Sequence, residues 1–351
     1  MHGTVIPMRP KTAPAAMAAV LLTALISTLL TACSGKGDKV SFDNPAATSG
    51  KSPSPRALTE NERRAQAMTQ LPTGPAAEFT KESDVEGGTT ISVTTLAGKK
   101  SGFTGQVWVW VPKQYFEPRY SQSGFPVMIT LPGGKGFPKN YWIGTGLGLQ
   151  TGIHKWSQEG QSLPFIVVMP VLNPGKEYYQ DGSDIPGQAK MGTWLTEDVP
   201  DLVKANFRTF KSRDGWGWMG SSSGGFAALK FVLQKPDQFK AVIASGPDTR
   251  PDSPLWKGYE EEKQANNPER LAKDLIAKGG PDVFVAFQIG TAESGMPNLQ
   301  NFIKNYGKGP IKTHLQVIQN GEHDAKSYMR GMGDGTMKWF SDQLQGPIAT
   351  P

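Results

Sequence analysis

Residues 216–233 read WGWMGSSSGGFAALKFVL, and this stretch decides the fold. Trp216–Met219 is a short apolar run with the character of a buried strand, and Phe226–Leu233 has helical spacing. Between them, Gly220-Ser221-Ser222-Ser223-Gly224-Gly225 centres G-x-S-x-G on Ser222. The five-residue pattern alone also occurs in ordinary Gly/Ser loops; the strand before it and the helix after it give it meaning. So tight a turn strains the central residue and tolerates only small neighbours, here Gly220 and Gly224. It exposes a hydroxyl at a helix N-terminus, where the dipole favours developing negative charge. Ser221 and Ser223 compete on composition, but neither is flanked by glycine two residues away on both sides.

Outward from this turn, Thr89–Leu96 and Gln106–Val111 read as strands, the second dense in β-branched and aromatic residues and ending at Pro112. Pro126–Leu131 and Pro164–Met169 are nearly all apolar, as buried parallel strands are. Lys240–Ala244, Val283–Ile289 and His314–Ile318 read as further strands. Trp194–Phe207, Pro268–Lys278 and Thr336–Leu344 read as helices. Strands alternating with helices predict a mostly parallel α/β sheet covered on both faces.

A serine hydroxyl needs a base near neutral pH. The chain has four His. His2 lies in the N-terminal leader. His154 precedes the serine, against the order nucleophile, acid, base that goes with this turn. His314 opens an apolar strand and reads as structural. His323, in Asn320-Gly321-Glu322-His323-Asp324, follows that strand in a loop, where such sheets build their sites. Glu293, in the loop Gly290-Thr291-Ala292-Glu293 after Val283–Ile289, is the expected acid. Asp248, one strand earlier, is the alternative, and Asp252 is further from its strand.

For an oxyanion site, the residue after the nucleophile, Ser223, offers one backbone N–H. The glycine-rich loop Pro132-Gly133-Gly134-Lys135-Gly136 after Pro126–Leu131 offers a second, from Gly134 or Lys135. This loop is not a phosphate loop, because G-x-x-x-x-G-K-[ST] is not present. Gly144-Thr145-Gly146-Leu147-Gly148 follows no strand and is not a dinucleotide fingerprint. Glu322, His323 and Asp324 are adjacent, point different ways and make a poor metal site. No metal or cofactor is expected. Tyr141, Trp142, Tyr178, Tyr179 and Trp194 read as packing residues near the site.

The chain has 351 residues, one Cys and a net charge of +6 from 37 basic and 31 acidic side chains. One Cys excludes an internal disulfide framework and a Cys-rich zinc module. The charge is small and mixed, with no Arg-rich stripe, which argues against a nucleic-acid partner. The 41 Gly and 28 Pro point to many turns.

Arg9 and Lys11 precede an uncharged, largely apolar run over Thr12–Ala32, the pattern of a secretory signal. A spanning anchor is the alternative, since the run approaches the necessary length. Leu30-Thr31-Ala32-Cys33 favours a lipoprotein signal, because the chain's one thiol follows small residues at the cleavage position. Lipid on Cys33 would hold the protein on the extracytoplasmic side of a membrane. The expected organisation is residues 1–32 as signal peptide, 33–87 as disordered tether and linker, 88–345 as the folded domain and 346–351 as a flexible tail. Within the linker, Thr59-Glu60-Asn61-Glu62 has capping-box spacing and predicts a short helix through Met68.

Taken together, these residues resemble the esterase D-type branch of the α/β-hydrolases. That branch includes S-formylglutathione hydrolases, feruloyl and enterochelin esterases and the mycolyl-transferases of actinobacteria. The resemblance spans about residues 88–345 and rests on six places. They are Val107–Pro112, Pro126–Gly134, Trp194–Pro200, Gly220–Gly225, Gly290–Glu293, and Gly321–Asp324 followed by Trp339. There are two departures. Leu-Pro-Gly-Gly stands where Leu-His-Gly is usual, and the acid is Glu rather than the commoner Asp, as it also is in the mycolyl-transferases. The resemblance implies an α/β-hydrolase fold and hydrolysis or transfer of an acyl ester through an acyl-enzyme on Ser222, with a small-molecule, lipid or sugar ester as substrate. An esterase, an acyltransferase acting on cell-envelope acceptors, and a non-catalytic surface binding protein on the same scaffold stay open at this point, as does oligomeric state.

Overall fold

The apolar runs line up in one 10-stranded sheet. In spatial order its strands are Lys39–Val40, Phe79–Val85, Thr89–Ala97, Thr104–Trp110, Ile166–Pro170, Val127–Leu131, Trp216–Ser221, Ala241–Ser245, Val283–Gly290 and Ile311–Ile318. The structure, a computed structural model, describes residues 37–42 and 57–351, all within one of the two units into which contacts divide the chain. The expected signal peptide with Cys33, and residues 43–56 of the expected tether, lie outside the described residues. From Ile166–Pro170 onward every neighbouring pair is parallel, and the four strands before it pair antiparallel.

Burial explains why the central strands are continuous hydrophobic runs. Every residue of Val127–Leu131, Ile166–Pro170, Trp216–Ser221 and Ala241–Ser245 is buried, because helices cover both faces. The helix Ser223–Gln234 is buried from Gly224 to Leu233, Lys230 included. Val127–Leu131 sits between Ile166–Pro170 and Trp216–Ser221. The chain leaves it toward one side of the sheet and leaves Trp216–Ser221 toward the other. Their carboxyl ends therefore flank the crevice where such sheets bind ligands.

The segment read as tether and linker differs from expectation. Phe79–Val85 pairs antiparallel with Thr89–Ala97, and Lys39–Val40 adds to its outer edge. Its middle, Thr-Lys-Glu-Ser-Asp, carries the composition of a linker because only the end residues Phe79 and Val85 are buried. The capping box forms around the helix Glu60–Met68: the Thr59 side chain accepts from Glu62 N, and Thr59 N donates to the Glu62 carboxylate at 2.7 Å. Residues 346–351 dock rather than hang free: Ile348 N donates to Ser123 Oγ and Thr350 N to Arg119 O, each at 2.8 Å. The expected helix Trp194–Phe207 forms but ends at Asn206, Phe207 being extended, and it begins with a wide π-turn over Trp194–Asp198 before the α-helix Val199–Asn206. Pro200 in the first turn of that α-helix has no N–H to contribute. The helices Leu149–Gln158 and Met296–Tyr306 are additional to the sequence reading. Among the described residues no helix is long and apolar enough to cross a membrane, and no cluster of acidic, His or Cys residues could hold a metal.

Candidate active site

Ser222 sits at the sharpest point of the chain's central turn, with φ 52° and ψ −122°. A non-glycine residue there is strained and persists only because the surroundings over-determine it. Ser222 N donates to Ser245 O and Phe226 N donates to Ser222 O, both at 2.8 Å, so the turn is tied to the next strand and to its own helix. The flanking glycines are steric necessities. A Cβ on Gly220 would lie 2.2 Å from Gly224 O, and one on Gly224 would lie 2.4 Å from Pro132 O. The second of these distances shows that the Pro132–Gly136 loop runs directly against the turn.

The neighbouring serines are occupied. Ser221 Oγ is hydrogen-bonded to the Tyr141 hydroxyl, and Ser223 Oγ donates to Gly134 O at 2.7 Å. Ser222 Oγ has no protein partner among the described residues, as befits a hydroxyl presented to a ligand.

Ser223 also opens the helix, so its N–H has no intrahelical acceptor. On the facing loop, Gly133 N–H donates to the Tyr141 hydroxyl at 2.8 Å and is thereby committed. The Gly134 and Lys135 amides have no acceptor among the described residues. Gly134 adopts φ +65°, a left-handed conformation glycine takes without strain. The loop is held on its far side as well: Asn173 Nδ2 donates to Lys135 O at 2.7 Å, and the Lys135 ammonium lies 3.6 Å from the centre of the Tyr179 ring.

Glu293 and His323 come from loops after adjacent parallel strands, Val283–Gly290 and Ile311–Ile318. Those loops are laced together: Thr291 N donates to Ile318 O and Ala292 N to Gly321 O, each at 3.0 Å. A Cβ on Gly290 would lie 2.1 Å from Gly321 O, so only glycine allows this approach. Asp324 caps the helix Ala325–Gly331 by accepting from Lys326 N and Ser327 N, which fixes the C-terminal side of the His323 loop. The result is a short contact of 2.6 Å between His323 Nδ1 and Glu293 Oε2. Gly290 N holds the other carboxylate oxygen, Oε1, at 2.7 Å. The Glu293 side chain is only 4% exposed, while that of His323 is 52% exposed. The hydrogen bond to Glu293 raises the His323 imidazolium above its ordinary value against the opposing effect of burial, with Asp248 and Asp324 adding in the same direction.

Ser222, Glu293 and His323 line one cavity of about 550 Å³, together with Gly246, Asp248 and Asn298. Asp248 thus reaches the cavity but makes no hydrogen bond to His323, and it acts on the imidazole only through its charge. Partial burial, followed by the nearby Asp252, holds its carboxyl above the usual range. His314 stacks on Trp339 at 5.2 Å between centroids, and His154 pairs with Gln158, so neither enters the site. Trp142 and Trp194 are buried core residues and Tyr178 is exposed.

Two tyrosines have polar roles that the sequence does not disclose: Tyr141, which reads there as a packing residue, and Tyr328, which does not stand out in it. The Tyr141 hydroxyl joins the glycine loop to Ser221. The Tyr328 hydroxyl donates to Glu293 Oε2 at 2.8 Å and lies 2.9 Å from His323 Nδ1. Tyr328 stands five residues after His323, but only the helix begun by Asp324 turns it back toward the loop.

A strained serine turn at the crevice of a mostly parallel sheet, with a carboxylate and an imidazole in contact after the last two strands, is the arrangement of the α/β-hydrolase class. The Esterase family, described as "Putative esterase", matches residues 104–349, and the chain belongs to that family. It is 27% identical over 195 residues to an uncharacterized protein of Corynebacterium glutamicum, a match covering 53% of this chain. The chain spans only 44% of the length of that curated relative. Among solved structures, a ferulic acid esterase shares the fold with a TM-score of 0.59 at 16% identity, covering 73% of this chain and 99% of its own. An S-formylglutathione hydrolase from Agrobacterium tumefaciens does so with a TM-score of 0.58 at 19% identity, covering 75% of this chain and 99% of its own. Another, from Staphylococcus aureus, has a TM-score of 0.57 at 15% identity and covers 72% of this chain and 99% of its own. At these identities the likeness speaks for the fold.

Proposed function

We propose that this protein is a serine esterase that hydrolyses a small carboxylic ester through an acyl-enzyme on Ser222, held on the extracytoplasmic side of a membrane by lipid on Cys33. One observation carries the chemistry: Ser222, free at Oγ, shares a cavity with an imidazole whose Nδ1 is engaged by Glu293 at 2.6 Å. That engagement leaves Nε2 as the nitrogen able to take a proton. Family membership, and relatives named as an esterase and as hydrolases, support the same reading.

In this mechanism, Nε2 of neutral His323 accepts the Ser222 proton as Oγ attacks the ester carbonyl. Glu293 stabilises the imidazolium that forms. The amides of Ser223 and of Gly134 or Lys135 hold the oxyanion. The imidazolium returns its proton to the departing alcohol, leaving the acyl group on Oγ. Water then attacks the acyl-enzyme, gives its proton to His323, and the carboxylic acid departs as Ser222 regains its hydrogen. The polar lining, with Asp248, Asn298 and Glu322, suits water and a hydroxylated substrate better than a long acyl chain.

The test is to treat the full chain with a fluorophosphonate, locate the modified residue by mass spectrometry, and follow p-nitrophenyl ester hydrolysis in parallel. An adduct on Ser222 with turnover supports the esterase. An adduct without turnover, relieved by an alcohol or sugar acceptor, replaces hydrolysis with transfer. No adduct sinks the catalytic reading and leaves a binding protein. For the anchor, Cys33→Ser should move the protein from the membrane fraction to the soluble one; unchanged partitioning counts against lipidation.

A further inference from the structure

We propose that Tyr328 is a positioning residue for the Glu293–His323 pair, its hydroxyl closing a three-way junction with Glu293 Oε2 at 2.8 Å and His323 Nδ1 at 2.9 Å. The proposal rests on the reading of Ser222, Glu293 and His323 as nucleophile, acid and base.

Three observations carry it. First, the hydroxyl is not needed for packing. The Tyr328 ring is 1% exposed and meets the His323 ring edge-on, contacts a phenylalanine would make equally well. Second, the fold makes room for the hydroxyl. A Cβ on Gly246 would lie 2.1 Å from Tyr328 Oη, 2.7 Å from Glu293 Oε2 and 3.0 Å from His323 Cε1. Gly246, which overhangs the junction, is thus a glycine by steric need, at φ +51°. Third, the donors around the carboxylate are divided. Gly290 N holds Oε1, while Oε2 faces both Nδ1 and the Tyr328 hydroxyl.

The physical consequence is twofold. The neutral O–H takes up part of the charge on Oε2, so it moderates how strongly Glu293 holds the imidazolium. It also prevents the half-exposed imidazole from swinging with its carboxylate. Burial and the adjacent Glu293 keep the Tyr328 phenol above its usual range, so it remains a donor throughout the working pH range. The other charged or titratable groups acting here are Asp248 and Asp324 on His323, and Tyr141 and Asp324 on Tyr328.

The experiment measures pH profiles of kcat/KM, together with kcat and KM, for Tyr328→Phe in the wild-type and Glu293→Gln backgrounds. In the wild-type background, kcat should fall about tenfold with KM little changed, and the acidic-limb midpoint should rise by about half a pH unit. In the Glu293→Gln background the same substitution should cost less than about twofold, because the group through which Tyr328 acts is altered. A wild-type midpoint and kcat in Tyr328→Phe would overturn the proposal, as would an equal loss in both backgrounds, the mark of a merely structural residue. Should Tyr328→Phe not fold, 3,5-difluorotyrosine at position 328 keeps the ring and strengthens the donor. It should lower the midpoint, and an unmoved midpoint overturns the proposal. Absence of a fluorophosphonate adduct on wild-type Ser222 is a separate outcome: it removes the underlying reading, and the proposal with it.

Discussion

Glu293 Oε2 lies 2.6 Å from His323 Nδ1, and this contact joins a buried carboxylate to a half-exposed imidazole. It raises the imidazolium above its ordinary value. Ester hydrolysis needs the neutral form, so activity should fall as pH drops through that raised value and should plateau above it. Glu293→Gln removes the largest cause of the shift, so the acidic limb should move to lower pH. It should also favour the wrong tautomer and reduce kcat by about a thousandfold or more. A pH–rate profile of both proteins checks this; an unmoved midpoint would mean that Glu293 is not the group that sets the base.

Gly246 offers a steric test of the same junction. A Cβ there would meet the Tyr328 hydroxyl at 2.1 Å, on backbone with φ +51°. Gly246→Ala should therefore displace Tyr328 or Glu293 and also strain the turn. The expected cost is about 1–3 kcal/mol of stability and at least about tenfold in kcat. Urea unfolding and steady-state kinetics measure the two separately. A variant with wild-type kcat would show that the junction tolerates rearrangement.

What was legible in the sequence follows from range. The central strands, such as Val127–Leu131 and Ala241–Ser245, announce themselves because every residue is buried, and the run of apolar side chains needs no partner to be seen. Ser222 and Glu293 could be singled out because each follows such a strand; the strand before His323, Ile311–Ile318, is mostly half-buried and is legible only from Leu315, Val317 and Ile318. Phe79–Val85 could not be singled out, since its middle faces solvent and reads as linker until its pairing with Thr89–Ala97 is known. Tyr328, and the polar role of Tyr141 that its reading as a packing residue left out, were hidden for a related reason. Glu293 is 35 residues from Tyr328 and Ser221 is 80 from Tyr141, and only the assembled sheet brings these pairs close; Gly133, eight residues from Tyr141, meets it through the fold of their shared loop.

Tyr141 leads to a prediction about the oxyanion loop. Its hydroxyl accepts from Gly133 N–H at 2.8 Å and bonds Ser221 Oγ, clamping the loop to the turn that carries Ser222. Tyr141→Phe leaves the ring but frees the loop and orphans two partly buried polar groups. The expected result is a loss of about 1–3 kcal/mol in stability and about tenfold in kcat, with little change in KM. A loss confined to stability would mean that the loop holds its catalytic geometry without the clamp.

Lys230 leads to the last prediction, which concerns stability alone. It lies on the helix that follows Ser222, is completely buried, and donates to Asp181 O at 2.6 Å, Gly182 O at 2.9 Å and the Ser183 hydroxyl. The segment it secures is strained, with Asp181 at φ 51°, and is also held by Trp256 Nε1, which donates to Asp181 Oδ2 at 2.7 Å. Lys230→Met fills a similar volume but leaves Gly182 O unpaired and leaves Asp181 O and the Ser183 hydroxyl only their mutual bond at 3.1 Å, so it should cost about 2–5 kcal/mol. Burial also pushes the Lys230 ammonium down to about 7, far below its value in an unfolded chain. Between those two values the unfolded state binds a proton that the folded state does not. This group's contribution to stability therefore increases with pH above about 7 and is constant below it. Urea midpoints of wild type and Lys230→Met, measured from pH 6 to pH 9, should separate further as pH rises. A constant separation would mean that Lys230 keeps its charge in the core, with its three acceptors sufficient to hold it.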